Sequence, residues 1–269
     1  MTIINNQKGG LREQNIFKSN NRHNPLITVI TCVLNNEKYL QECLDSLKKQ
    51  NYKNYEHIII DGGSTDNTIN IIKENENNID FWISEKDEGI YDAFNKGMSY
   101  ARGEFIGFLN SDDVYYSPKT LNYVNETFEK HKNADFIFGP VKKHWALLHG
   151  YKPWKIFFTW GFYTSHSTGF FIKLESAKLV GKYNLKYKFS SDYDYFFRMI
   201  VHKKLNGIGV EKDKIFGIFR RGGFSSRVKF IDHFKEEIQI RKDNKQNKIT
   251  ILLIIIYKSI RHARKLINL

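Results

Sequence analysis

The chain has 269 residues, 41% hydrophobic and 15% aromatic, which is enough to bury a sizeable core and too apolar for disorder throughout. A net charge of +13 favours an anionic partner: nucleic acid, an acidic membrane surface or a phosphate-bearing substrate. The two cysteines, Cys32 and Cys43, offer no disulfide framework or metal spacing, read as small buried residues and suit a reducing compartment.

Residues 1–24 are rich in Asn, Gln and Lys without periodicity, and are expected to be a mobile tail. No apolar leader segment is visible there, so no signal peptide is expected. From Pro25 the pattern changes. Leu26–Leu34 is a β-prone run of the kind buried on both faces, broken by Asn35-Asn36. Leu40, Cys43, Leu44 and Leu47 follow at helical spacing. Glu56–Ile60 reads as a second strand ending in Asp61-Gly62-Gly63-Ser64-Thr65-Asp66, where Ser64, Thr65 and Asp66 are expected to cap the next helix. Phe81–Ile83 is a short third strand, and Gly89–Ala101 a helix with Ile90, Phe94 and Met98 on one face.

Phe105–Leu109 is again strand-like and stops abruptly in Asn110-Ser111-Asp112-Asp113. Ser117-Pro118 predicts a helix N-cap and first position. Adjacent aspartates repel, so a cation is expected beside them; hard oxygen ligands suit Mg²⁺ or Mn²⁺ holding a substrate phosphate. Alternating strands and helices predict βαβ units and a largely parallel sheet. The polar strand ends at Asn35-Asn36-Glu37, Asp61–Ser64 and Asn110–Asp113 then fall on one sheet edge, where ligands bind in open α/β folds.

The second half is less regular. Trp145, Trp154, Trp160 and many Phe and Tyr predict an aromatic-lined groove or a packed flap, or else core packing alone. Ala134–Gly139, Leu205–Val210 and Ile215–Phe219 read as short strands, and Ser190–Asp194 opens a helix. Arg220–Arg227 is a basic, glycine-containing loop, and residues 228–246 form a charged helix. Ile249–Tyr257 is apolar on all sides but shorter than the roughly 18 to 20 residues of a spanning helix. With Lys258, Arg261, Arg264 and Lys265 behind it, that run predicts an interfacial anchor, or else a helix packed on protein.

Five motifs in order carry a resemblance. Ile27–Thr31 leading into Asn35–Leu40, Ile58–Thr68, Asp87–Gly97, Phe108–Asp113 and Ser191–Asp194 together resemble family 2 glycosyltransferases with a GT-A fold, from residue 26 to about 200. The resemblance implies a Rossmann-like, mostly parallel α/β sheet flanked by helices, here with a C-terminal helical extension. It divides the chain into a tail (1–24), a GT-A domain (25–225; nucleotide half about 25–115, acceptor half about 116–225) and a basic, apolar helical tail (226–269). The activity implied is inverting transfer of a sugar from a nucleotide sugar, a UDP-sugar being the usual donor, to a hydroxyl.

Carried over by position, Asn35 and Glu37 would line the base and ribose pocket and Asp61 would bind the base. Asn95 and Lys96 would lie on the nucleotide side. Asp112 would sit near ribose and metal, Asp113 would be the principal ligand of Mg²⁺ or Mn²⁺, and Asp192 would be the catalytic base, with Asp194 its nearest rival. His166, Arg220 and Arg221 are candidate acceptor or diphosphate contacts. Asn110, Phe94 and Val33-Leu34 depart from the family's more usual Asp, Arg and Thr-Tyr. Expected partners are the donor, a glycan or lipid-linked acceptor of surface polysaccharide synthesis, and the inner face of the cell membrane, reached from the cytoplasm; no nucleic-acid partner is expected. A nucleotidyltransferase, releasing pyrophosphate, and a basic nucleic-acid-binding protein are the rival readings, and the latter has no supporting motif.

Overall fold

The computed structural model of the chain describes residues 7–143, 146–158, 167–220 and 228–262. Its elements run β1 (Gln7–Gly9), β2 (Ile27–Val33), α1 (Leu40–Lys48), β3 (Tyr55–Asp61), α2 (Thr68–Glu74), β4 (Phe81–Ser84), α3 (Ile90–Tyr100), β5 (Phe105–Phe108), β6 (Val114–Tyr115) and α4 (Thr120–Lys130). The second half continues with β7 (Phe136–Phe138), β8 (Val141–Lys143), β9 (Ala146–Leu148), β10 (Phe170–Lys173), α5 (Leu174–Val180), α6 (Ser191–Phe197), β11 (Gly207–Gly209), β12 (Gly217–Phe219), α7 (Phe230–Asp243) and α8 (Lys248–Arg261).

Eight strands form one sheet in the order β1-β4-β3-β2-β5-β10-β7-β11. Its centre, β4-β3-β2-β5, is parallel. Strand β10 runs antiparallel between β5 and β7, and β1 antiparallel on β4. A smaller sheet, β6-β12-β8-β9, stands beside it. The chain moves outward through β2, β3 and β4, then returns to place β5 on the other side of β2. That reversal opens a crevice at the carboxyl ends of β2 and β5, the place where such sheets take ligands.

Buried strands still alternate. Ile30, Cys32, Ile106, Phe108, Phe136 and Phe170 face a core shared with Tyr91, Phe94 and the aromatic side of α6. Ile27, Val29, Phe105, Ile137 and Phe171 face the opposite core, with Cys43, Leu47, Leu121 and Val124 from α1 and α4. Helix α3 approaches β2 closely at Gly97, where an added Cβ would lie 2.4 Å from Ile30 Cγ2. Both cysteines are buried free thiols, and burial pushes each above its ordinary range.

Residues 7–24 are not the mobile tail expected from composition. Strand β1 extends the sheet, and Arg12 reaches buried Glu56 at 2.6 Å while also donating to the Tyr100 carbonyl. Glu56 also accepts from Thr28 Oγ1 and from the backbone N–H groups of Arg102 and Gly103. One carboxylate thus ties the N-terminal segment to β2, β3 and the turn before β5. The cap expected at Ser117-Pro118 is shifted: α4 starts at Thr120, and Ser117 Oγ accepts from Lys119 N–H at 3.2 Å. Among the described residues, no helix is long and apolar enough to cross a membrane.

Candidate active site

The first wall of the crevice is the turn after β2. Asn35 takes the left-handed conformation (φ 47°), which its short polar side chain tolerates. Its Oδ1 accepts from Thr65 N–H at 2.8 Å, and its own N–H donates to Ser64 Oγ at 2.8 Å. Glu37 accepts from Asn67 N–H at 2.9 Å, and Asp66 accepts from Glu37 N–H and Thr68 N–H just ahead of α2. Ser64 and Thr65, expected to cap that helix, bond to Asp61 and Asn35 instead, and the N-cap residue is Asn67. Asn36 Nδ2 donates to Ser111 Oγ at 2.8 Å and so joins this turn to the end of β5. Asn35, Glu37 and the β5 corner are thereby brought together.

Asp61 has another environment than the open base contact expected. It is fully buried, and its carboxylate accepts from Gly63 N–H, Ser64 N–H, Ser64 Oγ and Ser84 Oγ at 2.5–3.0 Å. It shapes the Gly62-Gly63 loop from beneath. The carboxylate on the outside of that loop is Asp87: a Cβ on Gly62 would meet Asp87 Oδ2 at 2.6 Å. Burial raises Asp87 above the usual carboxylate range, although Gly89 N–H and Lys96 pull the other way. No role was expected for Asp87, although it opens the Asp87–Gly97 motif.

The Asn95 amide, expected on the nucleotide side, is engaged within the protein. Its Nδ2 donates to the Tyr183 carbonyl at 2.9 Å and its Oδ1 accepts from Tyr183 N–H at 2.7 Å, a buried clasp that uses both ends of the amide. Lys96 is held by Glu85 at 2.8 Å and Asp92 at 3.4 Å. Burial opposes its charge, but the two carboxylates keep the ammonium above its ordinary range.

At the end of β5 the two aspartates differ. Asp112 is half-exposed, whereas Asp113 is fully buried. Asp113 Oδ2 accepts from Thr168 Oγ1 at 2.5 Å and its Oδ1 from Arg220 N–H at 3.3 Å. Arg220 pairs with Glu42 and lies 4.8 Å from the Tyr39 ring, so it bridges α1 and the aspartate corner. Asn110 Nδ2 donates to Ser167 Oγ at 2.9 Å, while its buried Oδ1 has no partner among the described residues. Among those residues no group of three or more His, Cys, Asp or Glu side chains gathers as a metal cage. The donors present, two adjacent carboxylates and an unpartnered amide oxygen, still fit a hard cation whose remaining ligands are substrate phosphates. His166 and Arg221 lie outside the described residues.

Asp192 opens α6 and is half-exposed; its carboxylate accepts its own helix's Tyr193 N–H at 2.8 Å. The Tyr91 phenol, in the first turn of α3, donates to the Phe189 carbonyl at 3.2 Å and meets Asp192 through both backbone and side chain. Burial, then the Asp192 charge, raises that phenol well above its ordinary range. Asp194 is excluded as the exposed base: it is 3% exposed, paired with Arg198 at 2.8 Å and bonded to Asn244 Nδ2 at 2.8 Å. The loop entering α6 is braced from α7, where Glu236 accepts the N–H groups of Lys188 and Phe189 at 2.6 and 2.8 Å. His233 Nδ1 also meets Ser190 Oγ at 3.2 Å.

Residues 28–200, more than half of the chain, match Glycosyl transferase family 2. The chain belongs to that family. It is 29% identical over 180 residues to a PGL/p-HBAD biosynthesis glycosyltransferase of Mycobacterium tuberculosis, covering 65% of this chain and 69% of the relative. Its fold is that of GT-A glycosyltransferases. S. aureus TarS 1–349 in complex with UDP-GlcNAc superposes with a TM-score of 0.62 at 20% identity, over 81% of this chain and 66% of that one. A mannosyltransferase from Pyrobaculum calidifontis, solved with GDP-Man and Mn²⁺, gives 0.64 at 15% identity, over 93% and 73%. A further structure of TarS 1–349 covers 81% of this chain, which spans 64% of that structure. Family membership favours neither the nucleotidyltransferase nor the nucleic-acid-binding reading.

Proposed function

We propose that this family member is an inverting glycosyltransferase. It moves a sugar from a nucleotide sugar, a UDP-sugar, to a hydroxyl of a glycan or lipid-linked acceptor in surface polysaccharide synthesis, at the cytoplasmic face of the membrane. The observation that carries the reading is the contrast at the start of α6. Asp192 is half-exposed, at the end of a loop that Tyr91 holds through the Phe189 carbonyl, while Asp194 two residues on is locked in an ion pair. UDP-GlcNAc in one structural neighbour and GDP-Man in another support a nucleotide sugar as the class of donor.

An acceptor hydroxyl is a poor nucleophile near neutral pH, so Asp192 takes its proton as the oxygen attacks the anomeric carbon. The new bond forms on the face opposite the bond that breaks, and the diphosphate leaves with the electron pair; the centre inverts without a covalent intermediate. The nucleoside lies over the Gly62-Gly63 loop, between the turn at Asn35–Glu37 and the half-buried Asp87. Asp112, with Asp113 behind it, would hold Mg²⁺ or Mn²⁺. Bound there, the ion supplies electrostatic stabilisation of the charge that builds on the departing diphosphate. Arg220 adds a cation at the same corner.

A screen of nucleotide sugars for thermal stabilisation and nucleotide release, with and without Mn²⁺, tests this. One UDP-sugar should stabilise the protein and be turned over to UDP. Asp192→Asn should keep donor binding and lose transfer; transfer at the unaltered rate would remove Asp192 from the mechanism.

A further inference from the structure

Helix α8 has two opposed faces. Ile251, Ile254 and Lys258 point inward and are buried. The Lys258 ammonium pairs with buried Glu237 on α7, which also holds Arg241 at 2.8 Å, and Arg241 donates onward to the Phe157 carbonyl. The outward face carries Ile249, Leu252, Leu253, Ile256, Tyr257 and Ile260, with relative exposures from 47% to 74%. Their spacings of three, one, three, one and three place all six on a single stripe of a 3.6-residue helix. Asn247 caps the start by accepting from Ile249 N–H at 2.8 Å, so the stripe belongs to a formed helix.

Helix α8 has 14 residues, about 21 Å at 1.5 Å per residue, against a hydrocarbon core of about 30 Å. It can lie along a bilayer and cannot cross one. Its sequence contains no Asp or Glu, and Lys242, Lys245, Lys248 and Arg261 are exposed around its ends. Arg264 and Lys265 follow in the sequence. The nearby Asp243 carboxylate is held by Lys186 and Tyr187. A second copy meeting this stripe through its own α8 would bring no carboxylate to these cations. An anionic leaflet supplies both an apolar layer for the stripe and negative charge for its flanks.

We propose that the outer face of α8 is a docking surface for an anionic lipid leaflet, with the helix axis in the plane of the interface. This deepens the functional reading, on which it rests for its use: a lipid-linked acceptor would be met at that same interface.

The test uses the full chain and vesicles of phosphatidylcholine with and without phosphatidylglycerol. The protein should sediment with the phosphatidylglycerol vesicles, be released by salt, and show little retention on phosphatidylcholine alone. The double substitution L253D/I256D should weaken retention about tenfold or more. Its far-ultraviolet circular dichroism and its nucleotide release in free solution should match the unaltered protein. No retention on either vesicle, or retention unchanged by L253D/I256D, overturns the proposal. So does a lipid-free dimer that the same substitutions dissociate. If vesicles are bound but no nucleotide sugar is turned over, the docking surface stands and the functional reading falls.

Discussion

His57 sits in the first half of β3, 2% exposed, with its Nε2 hydrogen-bonded to Thr31 Oγ1 on β2 at 2.9 Å. Burial, and then the Lys18 charge, lowers its pKa from 6.5 to about 3. Because the folded value is depressed, the stability it contributes is present above pH 6.5 and is lost as pH falls towards 3. Only the unfolded chain binds the proton in that window. Between pH 7 and pH 5 the loss works out at about 2 kcal/mol, since each pH unit below the unfolded pKa is worth about 1.4 kcal/mol. Other groups titrate over the same range, so the comparison is with His57→Gln, which can keep a bond to Thr31 but cannot be protonated. Urea unfolding followed by tryptophan fluorescence, at pH 7 and pH 5, gives the loss for each protein. The unaltered protein should lose about 2 kcal/mol more than the variant. Equal losses would mean that His57 is protonated in place, and the account of its buried, neutral imidazole would be wrong.

Arg12→Ala removes the partner of a buried carboxylate while Glu56 keeps three other donors, so it should cost about 3 kcal/mol, the low end for a broken buried pair. A urea midpoint that does not move would return residues 7–24 to the status of a loose tail. Asn95→Ala leaves the Tyr183 backbone donor and acceptor unpaired and should cost about 2 to 4 kcal/mol without changing donor affinity; a raised donor KM at unchanged stability would restore it to the site. Asp113→Ala should lower both activity and melting temperature, since it frees Thr168 and Arg220. Asp112→Asn should lower activity and the Mn²⁺-dependent stabilisation alone; the opposite pattern would exchange the two roles.

The parallel centre of the sheet was legible because β2 to β5 are continuous apolar runs ending in polar clusters, a pattern set by local residues. The α6 start was equally legible from Ser190–Asp194. What the residue pattern hides is how side chains divide their contacts across long separations. Asn95 looks like a polar group on a nucleotide-side helix, yet its partner lies 88 residues away. Asp61 precedes a glycine pair, which signals a turn but not that four donors fold back on the carboxylate. Three-residue β1 has no period of its own and exists because the edge of β4 accepts it. Glu237 and Arg241 read as part of a charged helix and Lys258 as a basic flank of the apolar run, and only the packing of α7 against α8 reveals them as interior.

The brace from α7 onto the loop before Asp192 makes the C-terminal helices part of the catalytic half rather than a detachable tail. Removing them to obtain a better-behaved protein would free the amides of Lys188 and Phe189, let go of Ser190, and strip Asp194 of Asn244. Such a shortened protein would keep the crevice and lose the fixed position of Asp192, the proposed base. Poor transfer by it would then report a loosened helix start rather than a missing acceptor.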